Sequence, residues 1–171
     1  MTLEIKHTFD EETYRHSIND HEFVLHCHHY MTLTSKLAED FADLGAVQVL
    51  REATEDSIRP VLASYFADHG VTSPEERLAV GAEYYAFMGM GLMDVSGTAG
   101  TGEVKLKHSH VDEGWIQKWG NHSKAINHFT CGFVAALFSA AFSKPARSYN
   151  VTENASIVMG APESVLVVKA A

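Results

Sequence analysis

The chain has 171 residues and a formal net charge of −9, with 46% apolar and 20% charged residues. This balance is that of a globular domain with its own core, and the acidic excess argues against nucleic-acid binding, which needs clustered Lys and Arg. Two cysteines and the lack of an apolar leader predict a reduced, cytoplasmic protein. No apolar run has the roughly 18 residues of a membrane span. With no repeat or linker, we expect one domain over residues 1–171.

The N-terminal part predicts little regular structure before the first helix. Leu3–Phe9 alternates weakly, as an edge strand does, and residues 10–19 are polar. Phe23–Cys27 is typical of a short buried strand or an extended entry. A helix is predicted from about His28, because large apolar residues recur at four-residue steps and define a face that we expect to point into the core. These residues are Leu33, Leu37 and Phe41.

Two more helices follow. The break at Leu44-Gly45 starts a long helix that ends at His69-Gly70, with glycine suited to the cap. Pro60 lies inside this helix and should kink or divide it. The next helix begins at Ser73-Pro74-Glu75-Glu76, where serine is an N-cap, proline suits the first helical position, and two glutamates favour the positive helix end.

The middle of the chain predicts a hairpin. A glycine-rich loop over residues 97–102 precedes Glu103–His110, in which apolar or histidine residues alternate with polar ones. By the two-residue period of a strand, His108 and His110 share the face of Val104 and Leu106. We therefore expect both imidazoles to face the core side, where they would line a pocket.

The C-terminal third predicts a buried helix and several strands. Residues 111–119 suit a short helix closed by Gly120, and Asn127–Phe142 is apolar on all sides. Within the latter, Gly132, Ala136 and Ala140 form a line of small residues that allows close approach of another element. Helices with a mostly antiparallel sheet give an α+β fold. The predicted strands are Arg147–Thr152, Ser156–Met159 and Val165–Lys169.

This last third resembles the C-terminal half of the 4-vinyl reductase, or hydrocarbon-binding, domains. The resemblance lies in three segments: Cys131–Phe138, Tyr149–Glu153 and Met159–Pro162. It implies an α+β fold that encloses a small-molecule pocket, often in a dimer. Together with the small-residue line it predicts a homodimer.

The chain departs from the resembled family at the final hairpin. Many relatives have cysteine where this chain has Ser156 and Ser164, and their Gly-Asp-Pro turn is replaced by Gly160-Ala161-Pro162. A cysteine-bound metal on this hairpin is therefore not expected. The His-rich stretch near residue 26 lies outside the resemblance.

The highest density of side chains that can bind a metal or act as acid or base is in His26-Cys27-His28-His29. In an extended segment His26 and His28 share a face, and at a helix start His26 and His29 do. Each arrangement gives two ligands, whereas a catalytic metal needs about three. The third ligand for a zinc or iron ion would come from elsewhere in the chain. The alternative is that these histidines are hydrogen-bonded core or surface residues. Candidates for the third ligand are His108, His110, His128 and Cys131.

Two functions remain open from the sequence. The first is a binding or accessory protein for a hydrophobic or aromatic small molecule. The second is a small metal-dependent or Cys/His-dependent hydrolytic or redox enzyme, with Cys27 and His28 as candidate catalytic residues and His26, His28, His108 and His110 as candidate metal ligands. For the first function, the expected ligand-binding residues are His26, His28, Tyr30, His108, His110, Trp115, His128 and Cys131.

Overall fold

The computed structural model describes residues 3–24 and 26–171, and of His28 it describes only the backbone. The predicted α+β class is confirmed. The helices are α1 (His28–Asp40), α2 (Ala46–Asp68), α3 (Pro74–Phe87), α4 (His110–Trp119) and α5 (His128–Ala141). The strands are β1 (His7–Asp10), β2 (Arg15–Ile18), β3 (His21–Phe23), β4 (Gly91–Gly97), β5 (Thr101–Ser109), β6 (Tyr149–Ala155) and β7 (Ser164–Ala170). Short 3-10 turns occupy Ala42–Leu44 and Ile157–Met159.

Two antiparallel sheets organise the chain. β1, β2 and β3 form a small N-terminal sheet, and the large sheet has the strand order β4-β5-β7-β6. The turn from β2 to β3 is two residues long, and Asn19 and Asp20 both adopt positive φ there, which matches a tight hairpin turn. Ile18 is the buried apolar residue of this small sheet. None of the described helices is long and apolar enough to cross a membrane.

Helix α5 is the centre of the molecule, as its uniformly apolar sequence predicts. Every residue from Thr130 to Ala141 is buried. The helix packs along α2, and a Cβ placed on Gly132 would lie 2.4 Å from the carbonyl oxygen of Arg51. The small-residue line therefore serves close packing inside the chain. The close approach that this line was predicted to allow is made by α2, and the predicted homodimer stays a prediction.

The orientation predicted for α1 is also wrong. Leu33, Leu37 and Phe41 are exposed, while the side that packs against the protein carries smaller or more polar residues. The helix does begin at His28 as predicted, so its period was correct and its inward face was not. The large apolar side chains are left uncovered in a single copy of the chain. The buried residues of α1 are Met31, Thr32, Ser35 and Ala38.

The predicted start of α3 is confirmed by its cap. Ser73 Oγ accepts the Glu76 amide at 3.2 Å and donates to the Glu76 carboxylate at 3.1 Å, so the two residues cap each other. α2 is continuous through Pro60, and the predicted division does not occur. Pro60 is exposed, which leaves the carbonyl freed at Asp56 on a side that water reaches.

A bulge in β5 overturns the predicted orientation of His108. Leu106 lies opposite Met93 and His108 opposite Leu92, so Lys107 is an extra residue in the ladder. An extra residue reverses the inward and outward alternation beyond it. His108 therefore points outward with a side chain 73% exposed, and Ser109 is buried in its place.

The C-terminal hairpin differs from its prediction at one segment. Ser156–Met159, predicted as a strand, is one extended residue followed by a 3-10 turn that ends at Gly160 with φ of 90°. A register shift at Ala155 ends β6. The Ile157 amide then donates to Ser164 Oγ at 2.9 Å, so a side chain replaces a strand partner.

Candidate functional site

The residues of the His-rich stretch are spread over the protein surface. The side chains of His26, Cys27, His29 and Tyr30 are exposed, and Cys27 is the residue that caps the start of α1. The side chain of His28 lies outside the described part of the structure. One predicted pairing is seen, because the rings of His26 and His110 meet edge to face at 5.5 Å between centroids.

A metal centre at these histidines is still only a prediction. Among the described side chains, no group of three or more His, Cys, Asp or Glu residues is placed to hold a metal ion. His26 and the half-buried His110 are near each other, whereas His108 faces away with its Nδ1 3.3 Å from the Glu113 carboxylate.

His128 lies in a different place, between three helices. Its Nε2 is 2.6 Å from the Glu39 carboxylate and its Nδ1 is 3.3 Å from the Arg51 guanidinium. A guanidinium only donates, so Nδ1 accepts and Nε2 carries the proton that goes to Glu39. The buried imidazole is therefore neutral. Through these two hydrogen bonds it connects α5 to α1 and α2, which is a structural role.

We expect acid to destabilise the fold through His128. Burial is the main reason that the pKa of His128 lies below its ordinary value of 6.5, and the hydrogen bond to Glu39 offsets only part of this effect. Below pH 6.5, His128 therefore binds a proton in the unfolded chain but not in the folded one. This contribution makes the free energy of unfolding fall as the pH drops. In urea titrations from pH 5 to 8, His128→Gln should remove this contribution, so that the variant loses less stability than the wild type as the pH falls. The half-buried His122, changed to Gln, should leave it as in the wild type.

Cys131 and Trp115 are parts of the packed interior. Cys131 is buried in α5, and burial raises the pKa of its thiol to about 12, so it holds its proton at neutral pH. Trp115 is buried in α4, with the rings of Trp119 and His122 at 4.8 and 5.0 Å. The structure thus separates the predicted ligand-binding residues, and Leu106 of β5 packs in one hydrophobic core with Cys131 and Phe133 of α5.

A buried polar network is the main feature that the sequence did not reveal. The Asp112 carboxylate, at the start of α4, accepts the Asn127 amide at 2.8 Å and the Ser164 hydroxyl at 3.2 Å, and Ser156 lies at 3.4 Å. Asn127 also donates to Ser109 at 2.9 Å. The two serines that stand at the cysteine positions of the resembled family thus bind a carboxylate. Those two positions were the one available signal for this network.

The network continues to a tyrosine and to a second carboxylate. Tyr85 shares a hydrogen bond of 2.7 Å with Thr130, which in turn donates to Asn127. Glu153 accepts the Asn127 backbone amide at 3.3 Å through Oε2, and its buried Oε1 has no hydrogen-bond partner. Burial, and then repulsion from Asp112, raise the pKa of Glu153 to about 7.

A groove beside the small N-terminal sheet has the form of a ligand site. Its volume is about 250 Å³, and we call it the tyrosine groove. Val61, Ser64, Tyr65 and Asp68 recur at one face of α2 and form one wall. The remaining lining residues are Lys6, Asn19, Asp20 and His21 from the sheet side, His69 after α2, and Tyr84 of α3.

The floor of the tyrosine groove is aromatic and its rim is polar. Tyr65 and Tyr84 are buried, and the ring of His69 stacks on Tyr65 at 4.0 Å. At the rim, Lys6 pairs with Asp20 at 3.4 Å, whereas Asp68 accepts a hydroxyl from Ser64 at 3.0 Å. Burial raises the pKa of Tyr84, which keeps its phenol protonated. The groove therefore offers aromatic surface with a hydrogen-bond-accepting carboxylate beside it.

A second groove, between α2 and β6, is less suited to an apolar ligand. It has about 290 Å³ and is lined mainly by polar residues, including Arg51, Glu55, Cys131 and Arg147. Arg147 already pairs with Glu55 at 3.0 Å and with Asp56 at 2.7 Å. These ion pairs therefore hold the segment before β6 against α2.

Comparisons with known proteins identify the fold. No protein-family model matches the chain, and no curated protein is significantly similar in sequence. The fold is similar to the phenol-responsive sensory domain of the transcription activator PoxR, with a TM-score of 0.75 and 15% identity, over 96% of this chain and 84% of that one. It is also similar to trafficking protein particle complex subunit 3 from Naegleria fowleri, covalently bound to palmitic acid, with a TM-score of 0.57 and 7% identity, over 84% and 94%. At these identities the likeness concerns the fold alone.

Proposed function

We propose that this protein is a small-molecule-binding module whose ligand occupies the tyrosine groove. The observation that carries the proposal is the construction of the groove, with buried aromatic residues below and a few polar groups at the rim, as in ligand sites generally. Its volume of about 250 Å³ is ample for one aromatic ring, since a cavity of about 150 Å³ can hold benzene. The fold shared with a phenol-responsive sensory domain supports a ligand of this size.

The chemistry of the rim favours a ligand that donates a hydrogen bond. Among the described residues no cation pairs with the Asp68 carboxylate, and Lys6 is already paired with Asp20. A hydroxyl or amino group on an aromatic ring would donate to Asp68 while the ring rests on Tyr65 and Tyr84. An anionic ligand would meet repulsion there, in a chain of net charge −9. Phenol, simple substituted phenols and aniline are therefore the probes of choice, with benzoate as the expected non-binder.

We expect phenol or aniline to raise the melting temperature, because a ligand that binds only the folded state stabilises it by an amount that grows with the logarithm of the ratio of ligand concentration to Kd. Ser64→Trp places an indole in the groove and should abolish this shift. Ala67→Trp is the matched control: it is also an exposed position of α2, but it lines a different groove beside Phe66 and Arg77. Thermal unfolding and calorimetric titration measure both variants.

Two negative results of this binding experiment would have different meanings. If no probe of the panel binds the wild-type protein, the proposed function is wrong for this ligand class. If a probe binds and Ser64→Trp binds it as the wild type does, ligand binding stands and the tyrosine groove is not the site.

We also infer that the protein is a homodimer and a diverged member of the 4-vinyl reductase family. The family inference is supported by Ser156 and Ser164, which meet at one buried carboxylate although they lie in different elements. A reducing, cytoplasmic location agrees with Cys27 and Cys131 both being free thiols. Sedimentation equilibrium of the purified protein measures the oligomeric state, and a monomer at about 200 μM would contradict the dimer.

A further inference from the structure

Helix α1 and the turn after it carry a seam of large apolar side chains that the chain itself does not cover. Its members are between 47% and 76% exposed. At 100° per residue the members on α1 and at its C-cap fall within one narrow stripe, on the side away from the buried Ser35, and the last member lies in the 3-10 turn that follows. Such a stripe on a protein surface marks an interaction site. The seam consists of Tyr30, Leu33, Leu37, Phe41 and Leu44.

The seam is symmetric about its central residue. Leu33 and Phe41 lie four positions to each side of Leu37, and Tyr30 and Leu44 lie seven positions to each side. The mean spacing is that of a coiled-coil seam, in which apolar residues recur every ~3.5 positions. A two-fold axis through the central residue therefore brings apolar residues at equal distances on either side of it opposite each other.

We propose that a second copy of this chain covers the seam, with the two α1 helices antiparallel and the two-fold axis at Leu37. Leu33 then packs against the partner's Phe41, and Tyr30 packs against the partner's Leu44. The two Leu37 side chains meet each other at the axis. This proposal rests on the homodimer inferred above and assigns its interface.

Area favours this occupant, and the seam avoids the charge repulsion between two copies. The chain carries a net charge of −9, so two copies repel over most of their surface, whereas the seam has no charged member. The nearest charges, Lys36 and Asp40, pair with each other on the same helix. The exposed parts of five large side chains amount to roughly 500 Å², more than half of the ~800 Å² per partner of a standard interface. The exposed Val49, at the start of α2, adds to this area.

The first test places two like charges at the axis. Leu37→Glu should weaken the dimer by roughly a hundredfold or more, as a central interface residue does, and sedimentation equilibrium measures the change. Leu92→Glu is the matched control, because Leu92 on β4 is 52% exposed against 48% for Leu37 and lies outside the seam. Both variants should keep the far-ultraviolet circular dichroism of the wild type. Should Leu37→Glu misfold, Leu33→Lys tests the same seam.

A second test reads the register directly, in a Cys27→Ser background that removes the exposed native thiol. Leu37→Cys should oxidise to a covalent dimer, because only a residue at the axis lies next to its own copy. Leu33→Cys alone should not, whereas a mixture of Leu33→Cys and Phe41→Cys chains should give the mixed covalent dimer. Non-reducing electrophoresis shows each product.

The outcomes separate the interface from the dimer itself. A wild-type monomer at about 200 μM overturns both proposals. A wild-type dimer that survives Leu37→Glu and Leu33→Lys, or whose Leu37→Cys form does not cross-link, overturns the seam and leaves the homodimer standing. A dimer that Leu92→Glu breaks as strongly as Leu37→Glu also overturns the seam.

Discussion

Gly132→Val is expected to lower the free energy of unfolding by about 3 kcal/mol or more, the upper part of the range for overpacked cores. A Cβ on Gly132 would lie 2.4 Å from the carbonyl oxygen of Arg51 and 2.8 Å from the Cβ of Thr54. The first of these atoms is helix backbone and cannot turn aside as a side-chain end could. The helices α2 and α5 must therefore move apart, which opens the core. Thermal unfolding should show a melting temperature lower by roughly 10 °C.

The matched control for Gly132→Val is Ala135→Val. Ala135 is on the same helix, but it lines the groove between α2 and β6, so two added methyl groups have space. This variant should cost only the few tenths of a kcal/mol that a β-branched residue loses in a helix. A Gly132→Val protein as stable as Ala135→Val would mean that α5 is not held against α2 as closely as described. The tyrosine groove depends on the same contact, because α2 forms one of its walls.

Local patterns in the sequence predicted the helices well. Ser73, Pro74 and Glu76 specify the start of α3 through contacts within one turn, so no distant residue is needed. α5 is recognisable because its residues are apolar on all sides, and such a helix can only be central. The α+β class follows from these helices and the alternating strands.

The errors came from effects that depend on distant parts of the chain. The period of α1 is clear, but the period does not say which face is inward. The usual rule sends Leu33, Leu37 and Phe41 into the core, whereas the structure buries Thr32 and Ser35. A protein that presents its apolar face to a second copy breaks that rule in just this way.

The bulge in β5 had a similar consequence for the candidate site. One extra residue, Lys107, turns His108 outward. The alternating sequence of Glu103–His110 gives no sign of this bulge. The buried network was missed for a different reason. Its polar residues come from five separate segments, and each one alone resembles an ordinary loop, cap or strand residue. The tyrosine groove joins the N-terminal sheet to α2 and α3, so only the fold brings its residues together.

Glu153→Gln is expected to stabilise the protein at alkaline pH by roughly 2 to 3 kcal/mol, from the linkage between pKa and stability. Burial and then repulsion from Asp112 raise the pKa of Glu153 from 4.5 to about 7. The folded chain therefore holds a proton between these values that the unfolded chain has lost. The free energy of unfolding accordingly falls as the pH rises from 4.5 to about 7, and the loss is complete above pH 7. Glutamine cannot ionise and removes this loss.

The geometry shows why Glu153 holds the proton. Asp112 accepts hydrogen bonds from Asn127 and Ser164, which favour its charged form, although burial still raises its pKa. Glu153 accepts the Asn127 backbone amide, and hydrogen bonds with Ser156 and Ser164 lower its pKa by less than burial and Asp112 raise it. Two charged carboxylates in one buried site repel each other, which raises the free energy of the doubly ionised state. Asp112→Asn should therefore lower the pKa of Glu153 part of the way toward 4.5, because it removes the repulsion from Asp112.

Urea titrations at pH 5, 7 and 9 distinguish these variants. Wild type and Glu153→Gln should be close in stability at pH 5 and diverge by pH 9, with Glu163→Gln in the turn before β7 as the control that follows the wild type. His128 acts with the opposite sign, because its lowered pKa weakens the fold as the pH falls below 6.5. The wild type should consequently be most stable near neutral or mildly acidic pH, and the Glu153→Gln, His128→Gln double variant should vary least. Equal stability of wild type and Glu153→Gln at pH 9 would show that Glu153 is ionised in the folded protein at little cost, and that the buried network contains a compensating positive charge.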